Sequence, residues 1–576
     1  MNTFVKLFTL MLANGCLALP LAAVAQSPDF ERIAPQSVPQ SSEGDIAAPE
    51  AAQALQSGRD RVLVDALEGL MFVDSPDLVA AVTNNNGINI DLDVEFRQEE
   101  FAHVFEPFLG RPLSLALLDQ INQETVNFFR ERDYPVVDAF APDGQDISDG
   151  VVQIVVLVGR LGAVRVEGAR FSDSEKLQNT IRLENNNPIV LSTLQEDIRW
   201  LNRNPFRTVN ALFERGDAFS QTDLVLSVEE RVPVRVYAST DDTGNALTGE
   251  ERLNAGINWG NAFGLGHQLG YQYSTSFENS EFSAHSINYQ APLPWRHNFS
   301  LFGAYVESDP APTTAGFDFD ARSWQIGARY NLPVSLFSGL EENLSLGADF
   351  KHSNNNLQFG ILDVLDTYTD ILQFNLRWSA VRLDDYGSTE IAASVTLSPG
   401  GITVDNDDDK FSAARAGAMA DYIYTRFDIN RLTRLPGDAT LATNLHIQLS
   451  DSNLLGSEQL GVGGYLTARG YDEYAATGDE GITLRNELRL APMQVFSSEQ
   501  RQDSLQFLSF VDYAYVKNVD LLPGETSTDL LSAGLGLRYA FGSAVSLRAD
   551  YGWQLKEITP GMGKDSRIHF SLTVAY

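Results

Sequence analysis

From residue 232 to the carboxy terminus the chain shows no helical period, and apolar and polar residues alternate one by one in run after run. In 545–555, Val545, Leu547, Tyr551 and Trp553 stand against Ser546, Arg548, Asp550 and Gln554, so one face is greasy and the other charged. Successive side chains of a strand point to opposite faces, so this pattern predicts strands with one side in an apolar medium and the other in water. Candidate strands fall at 232–240, 251–261, 264–276, 281–290, 298–307, 321–330, 343–352, 370–383, 390–397 and 413–427, then at 439–450, 482–490, 505–516, 530–541, 545–555 and 567–576. That makes about sixteen, an even number as bacterial outer-membrane barrels require. The connections alternate as well: short ones such as 541–544 and 384–387 are followed by long ones such as 309–318, 354–369 and 398–410, the habit of a barrel with short periplasmic turns and longer outer loops. The last strand carries Ile568, Phe570, Leu572, Val574 and the terminal Tyr576 on one face.

Upstream the pattern changes. Residues 61–159 mix the two periods, as an α+β domain does, with strands at 62–72 and 150–158 and a helix at 97–108. Ser114 is placed to cap a further helix that carries Leu117, Leu118, Ile121, Thr125 and Phe128 at helical spacing. A second unit, 160–232, opens with the strand 162–166 and a helix begun by Ser172 or Ser174. Ser192 with Gln195 then reads as a capping box before Leu194, Ile198 and Leu201, Asn204-Pro205 stops that helix, and strands 208–213 and 222–229 close the unit. The order β-α-α-β-β suits any small α+β module. Residues 26–60, rich in Pro, Ser, Ala and Gln, read as a mobile linker; 47–56 could form a short helix, with Leu55 its only large apolar anchor.

Composition narrows the setting. Lys6, an apolar run from Leu7 to Val24 and Ala23-Val24-Ala25 make a secretory signal over 1–25, which also holds the only cysteine, Cys16. No later stretch approaches the roughly 18 to 20 apolar residues of a spanning helix, so membrane residence requires a closed barrel. The formal net charge of −36 excludes a nucleic-acid partner. No Gly-rich loop ends in Lys-Ser or Lys-Thr, no serine sits in a nucleophile elbow, and the seven histidines are dispersed, so nothing assigns enzymatic chemistry, a cofactor or a metal. The acidic run Asp405-Asn406-Asp407-Asp408-Asp409 lacks the glycine and distal glutamate of a calcium loop and reads as a solvated outer loop.

The stretch 456–490 holds the most specific candidate. Ala468-Arg469-Gly470-Tyr471 lies in a Gly-rich connection of about 30 residues between two alternating strands, too long for a hairpin without a task. By itself Arg-Gly-Tyr also fits a turn on a solvated loop. In 505–516, Asp512 shares its face with Gln506 and Ala514, opposite Phe507, Val511, Tyr513 and Tyr515, so its carboxylate faces the wet side.

At these residues the sequence resembles the two-partner secretion transporters, exporters of haemolysins and filamentous haemagglutinins within the BamA-like outer-membrane superfamily. There a Val-Arg-Gly-Tyr or Val-Arg-Gly-Phe motif in the sixth extracellular loop folds back into the barrel, and its arginine meets a wall aspartate. Ala468 stands in the valine position, the wall motif matches Phe510-Val511-Asp512-Tyr513, and Ala514 and Tyr515 stand where the family often has glycine. The stretch 142–150, with Gln145, Ile147, Asp149 and Gly150, resembles the end of the family's first POTRA domain; 201–207 resembles part of the second, and 241–252 the passage into the barrel. The resemblance implies a signal peptide (1–25), a linker with or without a plug helix (26–60), two α+β POTRA domains (61–159 and 160–232) and a 16-stranded antiparallel transmembrane β-barrel (233–576). It implies an outer-membrane pore that captures an unfolded exoprotein with its periplasmic POTRA domains and secretes it without nucleotide hydrolysis. Arg469, Gly470 and Tyr471 would anchor the loop against Asp512. Phe570 and Tyr576 would form the terminal signal read by the barrel assembly machinery, and outer-membrane lipid would surround the barrel. An assembly factor that inserts other barrels, and a passive porin, remain alternatives.

Overall fold

The computed structural model describes residues 30, 33–39, 44–47, 61–79, 86–245, 248–277, 282–308, 317–359, 362–496, 503–558, 561 and 563–576, with backbone alone for 317–320, 355–359 and 362–367. The expected signal peptide lies outside them, as does the 47–56 helix candidate beyond Ala47. The chain divides into two compact units, Gln40–Val232 and Pro233–Tyr576 with the amino-terminal segment to Pro39.

In the carboxy-terminal unit sixteen described strands, each hydrogen-bonded to the next, close on themselves: β1 Val234–Asp241, β2 Arg252–Ala262, β3 His267–Ser276, β4 Phe282–Pro292, β5 Asn298–Ser308, β6 Phe317–Val334, β7 Glu341–Phe359, β8 Leu362–Asp384, β9 Gly387–Pro399, β10 Asp421–Arg434, β11 Thr440–Ser450, β12 Glu480–Arg489, β13 Asp503–Lys517, β14 Thr528–Phe541, β15 Val545–Gln554 and β16 Ser566–Ala575. The barrel the alternation predicts is therefore present. Closure runs through β1 and β16, antiparallel from Tyr237 opposite Ala575 to Asp241 opposite Ser571. Closure leaves no strand edge, which is what a sheet in lipid requires. The alternation resolves into inside and outside as expected: on β13 Val511 is exposed while Asp512 and Ala514 are buried, and on β15 Tyr551 and Trp553 are exposed while Asp550 is buried. Among the described residues no helix is long and apolar enough to cross a membrane.

Three sequence expectations are corrected in this unit. Most of the long connection expected at 354–369, namely 354–359 and 362–369, is strand, because β7 and β8 continue as a paired ribbon with Asn354 opposite Tyr368 and Leu357 opposite Leu365. Pairing satisfies the backbone whatever the side chains, so a ribbon of mixed composition needs no regular apolar alternation to persist. The strand expected from 413 begins at Asp421, and before it the acidic run starts a short helix, Asp408–Ala414, whose cap is Asp407 accepting the Lys410 N–H at 2.9 Å. The third concerns the linker, part of which is built in. Gln36 donates from its backbone to the Tyr237 hydroxyl (2.8 Å) and from its side chain to Ser239 (2.9 Å), and Phe30 packs on Phe302. A segment with few apolar residues is fixed here by hydrogen bonds to a polar wall, a signal that composition does not carry.

The amino-terminal unit repeats one topology. Gly69–Val73 lies parallel to Val151–Val158, which pairs antiparallel with Val137–Phe140, and the helices Gln98–Phe105 and Leu115–Arg130 come between in sequence. Arg160–Glu167 relates in the same way to Gln221–Glu230 and Arg207–Arg215, with helices Ser174–Gln178 and Leu191–Leu201. Each sheet gains a parallel edge strand, but at opposite ends: Gly87–Asp91 beside Gly69–Val73, and Ile46–Ala47 beside Arg207–Arg215. Ile46–Ala47 is thus a second part of the expected linker held in place.

Phe72, Phe101, Phe105, Phe128 and Phe129 fill the first core, and Leu161, Leu194, Ile198, Leu201 and Leu226 the second. Ser114 caps its helix through the Leu117 N–H as the spacing predicts. The other two caps differ. Asp173, not Ser172 or Ser174, caps Ser174–Gln178. Leu191–Leu201 has no side-chain cap of its own, and Ser192 instead donates its N–H to Asp133 at 2.8 Å. A carboxylate from 59 residues away supersedes the local box, which no local pattern could foretell.

Candidate functional site

The connection between β11 and β12 folds as its own hairpin, Leu460–Val462 pairing antiparallel with Ala476–Gly478. Its apolar residues Leu460, Val462, Ala468 and Tyr471 pack on Ala514 and Val516 of β13 and Leu530 of β14. The close approach is possible because Gly470 holds φ +93° and a Cβ there would lie 2.9 Å from the Gly552 carbonyl on β15; a Cβ at Gly552 would in turn meet the Gly470 nitrogen at 2.6 Å. Glycine is required on both sides of that contact.

The loop carries Arg469 to a site where its side chain has no solvent exposure. Nε donates to Asp512 Oδ2 at 2.7 Å and Nη2 to Asp512 Oδ1 at 2.8 Å, while the backbone N–H also reaches Oδ2 at 3.2 Å. Nη1 donates to Glu487 Oε1 on β12 at 2.6 Å and lies 3.8 Å from Asp550 Oδ2 on β15. The guanidinium plane also covers the Phe510 ring, 3.6 Å from its centroid. A planar fork meets the paired oxygens of a carboxylate in a way that a lysine point charge cannot. The carboxylates are shared: Glu487 also accepts from Arg489 (2.6 Å), and Asp550 from Arg538 (2.8 and 2.9 Å). Such a cluster offers little net stability over apolar packing, but deleting one member strands the rest at a cost of about 3–5 kcal/mol. Its gain is a single loop position.

The neighbours of Arg469 extend the attachment. The Tyr471 hydroxyl, buried, lies 2.9 Å from the Leu531 carbonyl and 2.7 Å from that of Lys556. The Gly470 N–H donates to His569 Nε2 on β16 at 3.0 Å, which fixes the proton on Nδ1 for donation to Asp242 Oδ2 at 2.7 Å. Asp242 Oδ1 also accepts the Phe570 N–H at 2.9 Å. The loop tip is therefore tied to β12, β13 and β16, and through His569 to the turn after β1.

Of the residues singled out in the sequence, Arg469, Gly470, Tyr471 and Asp512 converge here. Phe570 and Tyr576 stand apart: Phe570 is partly buried on β16, and Tyr576 is exposed, its backbone exchanging hydrogen bonds with Val236 at 2.9 and 3.0 Å. Glu487, Asp550, His569 and Asp242 were not singled out. The alternation puts the first three on wet faces, yet only the register brings them to one point. Among the described residues no group of three or more His, Cys, Asp or Glu side chains is arranged to hold a metal.

A closed barrel with a polar interior, threaded by its own loop and preceded by α+β modules, is the architecture of an outer-membrane β-barrel transporter. Residues 220–539 match the family model of the haemolysin secretion/activation proteins ShlB/FhaC/HecB, and 84–159 match that of the ShlB-type POTRA domain. The chain belongs to the ShlB/FhaC/HecB family. It is 23% identical over 453 residues to the heme/hemopexin transporter protein HuxB of Haemophilus influenzae (strain 86-028NP), covering 77% of this chain and 78% of that one. It is 24% identical over 471 residues to the outer membrane transporter CdiB of Dickeya dadantii (strain 3937), covering 79% and 78%. In fold it is similar to CdiB from Escherichia coli, with TM-score 0.69 at 18% identity over 95% and 94% of the two chains. BamA from Haemophilus ducreyi lacking POTRA domains 1–3 gives TM-score 0.51 at 16% identity over 86% and 100%. The protein is an outer-membrane barrel whose POTRA module lies in the periplasm.

Proposed function

We propose that this transporter exports one partner exoprotein, kept unfolded in the periplasm, through the barrel lumen. Residues 1–25 direct the chain out of the cytoplasm and are removed. Two POTRA domains, 61–159 and 160–232, capture the partner by backbone pairing or by taking up an amphipathic segment, modes that give affinity without strict sequence demands. The barrel, 233–576, conducts it. No nucleotide is hydrolysed and no covalent chemistry is performed; folding of the partner outside supplies the bias. The terminal strand with Phe570 and Tyr576 is what the barrel assembly machinery reads when the barrel is inserted among outer-membrane lipids.

The observation that supports this reading above the others is the buried Arg469–Asp512–Glu487 cluster in a chain of this family, which fixes a loop against the polar inner wall of the barrel. Arg469→Ala is expected to abolish export of the partner exoprotein while the barrel still assembles, seen as an unchanged heat-dependent gel shift. Normal export by that variant would refute the anchoring role. Loss of many outer-membrane proteins on depletion, rather than of one exported protein, would favour an assembly factor instead.

A further inference from the structure

The returning loop makes a second charged contact, on a different part of the wall from the Arg469 cluster. Glu458 lies in the first limb of the loop and is fully buried. Its Oε1 accepts from Lys351 Nζ on β7 at 2.6 Å, and its Oε2 from the Tyr424 hydroxyl on β10 at 3.1 Å. Its backbone carbonyl accepts from Gln448 Nε2 on β11 at 3.0 Å, so the limb is fixed on both sides of the carboxylate. The Lys351 side chain is 10% exposed and that of Glu458 not at all, so the pair is an internal strut and not a solvated surface contact. The tip contacts described above fall on β12 to β16, whereas Lys351 reaches the loop from β7, far around the ring.

A buried lysine–glutamate pair costs desolvation on both ions, and apolar residues of the same volume would serve stability as well or better. What such a pair supplies is one defined distance between two elements. The two ends of the loop differ in a way that makes this useful. The tip is held by a bidentate guanidinium within a cluster of carboxylates, while the first limb meets the β7–β10 side through the Lys351 ammonium and the Tyr424 phenol at Glu458 and through Leu454 and Leu455 packed with Ile371, Tyr422 and Tyr424.

We propose that Lys351 and Glu458 are positioning residues for secretion: they tie the first limb of the loop to the β7–β10 wall and so hold it across the lumen in the place where the partner must pass it. Without this strut the tip and the Leu454–Leu455 packing stay in place, but the segment around Glu458 loosens toward the passage.

The test uses the full chain, whose only cysteine, Cys16, lies in the segment read above as removed. Glu458→Ala and Lys351→Ala are expected to assemble normally, to lower export of the partner about tenfold, and to add flicker to the current of the purified protein in planar bilayers. Glu458→Gln, which keeps the volume and the Tyr424 hydrogen bond, covers the case in which the alanine variants do not assemble; the same flicker is expected of it. In Lys351→Cys/Glu458→Cys, bridging the two thiols with a reversible bis-thiosulfonate linker is expected to restore export and quiet the current, and a reductant to undo both. Export and current unchanged in the single variants would overturn the proposal. A bridged protein that exports less than its unbridged form would overturn it too, since the limb would then have to leave the wall. The strut matters to export only if the chain is a secretion pore as read above. A wild-type chain that exports nothing would sink that reading, while the current measurements would still decide the strut.

Discussion

The two compact units of this chain bury opposite kinds of residue. In the first α+β module Phe101 has no exposure because it sits among Phe72, Phe105 and Phe128, with ring centroids 4.7 to 4.9 Å away. In the barrel Arg469 has no exposure either, and its neighbours are Asp512, Glu487 and Asp550. Outside the barrel stand Ile568, Leu535 and Trp553, residues that the module would have hidden. Both units obey the same rule, that apolar surface leaves water and buried polar groups find partners. The difference is where the water lies. A module has water outside and builds a dry centre, whereas a barrel in lipid is coated with apolar side chains and must settle charge by charge what fills its interior.

The comparison is broken most severely at the module core. Phe101→Ala removes a ring from a dry centre that cannot refill it, at about 3–5 kcal/mol. The expected sign is rapid proteolysis within the first module of the intact protein while the barrel keeps its heat-dependent gel shift. An equal loss of both would mean that the units do not stand independently.

An intermediate effect is expected on β13, where one strand has both environments. Val511→Arg puts a charge on the lipid face and costs about 2–4 kcal/mol near the membrane midplane, less toward its edges. Gln506→Arg, on the wet face of the same strand, costs little. Folding titrations of the two variants into lipid vesicles compare them directly, and equal destabilisation would contradict the assignment of faces.

The smallest effect belongs to the second module. The Glu230 carboxylate accepts the N–H groups of Arg170 (2.6 Å), Phe171 (2.6 Å) and Ser172 (3.0 Å). Partial burial pushes its pKa up, but those hydrogen bonds outweigh burial and hold it below the usual range. A depressed folded-state pKa contributes stability above the ordinary glutamate value of about 4.3, and this is lost as the pH falls through the folded value. Partly exposed, the group contributes under about 1 kcal/mol. Glu230→Gln should flatten the acid limb of the second module's stability, followed by Trp200 fluorescence, and an unchanged limb would remove Glu230 as its cause.

Much of this architecture is legible in the order of residues. The strand count, the two faces of β13 and β15, and the pairing of Arg469 with Asp512 follow from alternation or from the family resemblance. What is not legible has one physical character. Glu487, Asp550 and His569 sit on faces that the pattern assigns correctly, but they meet Arg469 and Gly470 only through the register of four strands that lie between Glu480 and Ala575. Asp133 replaces a local capping box from a neighbouring module, and Gln36 binds a wall that starts two hundred residues later. The β7–β8 ribbon outlasts its alternation because backbone pairing does not depend on side-chain polarity.

Sequence alone determined the period, and a period of two with unequal faces, where no stretch after residue 25 is long and apolar enough for a spanning helix, leaves a closed barrel as the membrane solution. It also supplied the arginine, the glycine beside it and the aspartate. Only the tertiary structure decided which carboxylates share that arginine, and that a lysine on β7 holds the same loop from another wall. Side-chain facing is set within a few residues, whereas convergence on one point depends on how every strand is staggered against the next until the ring closes.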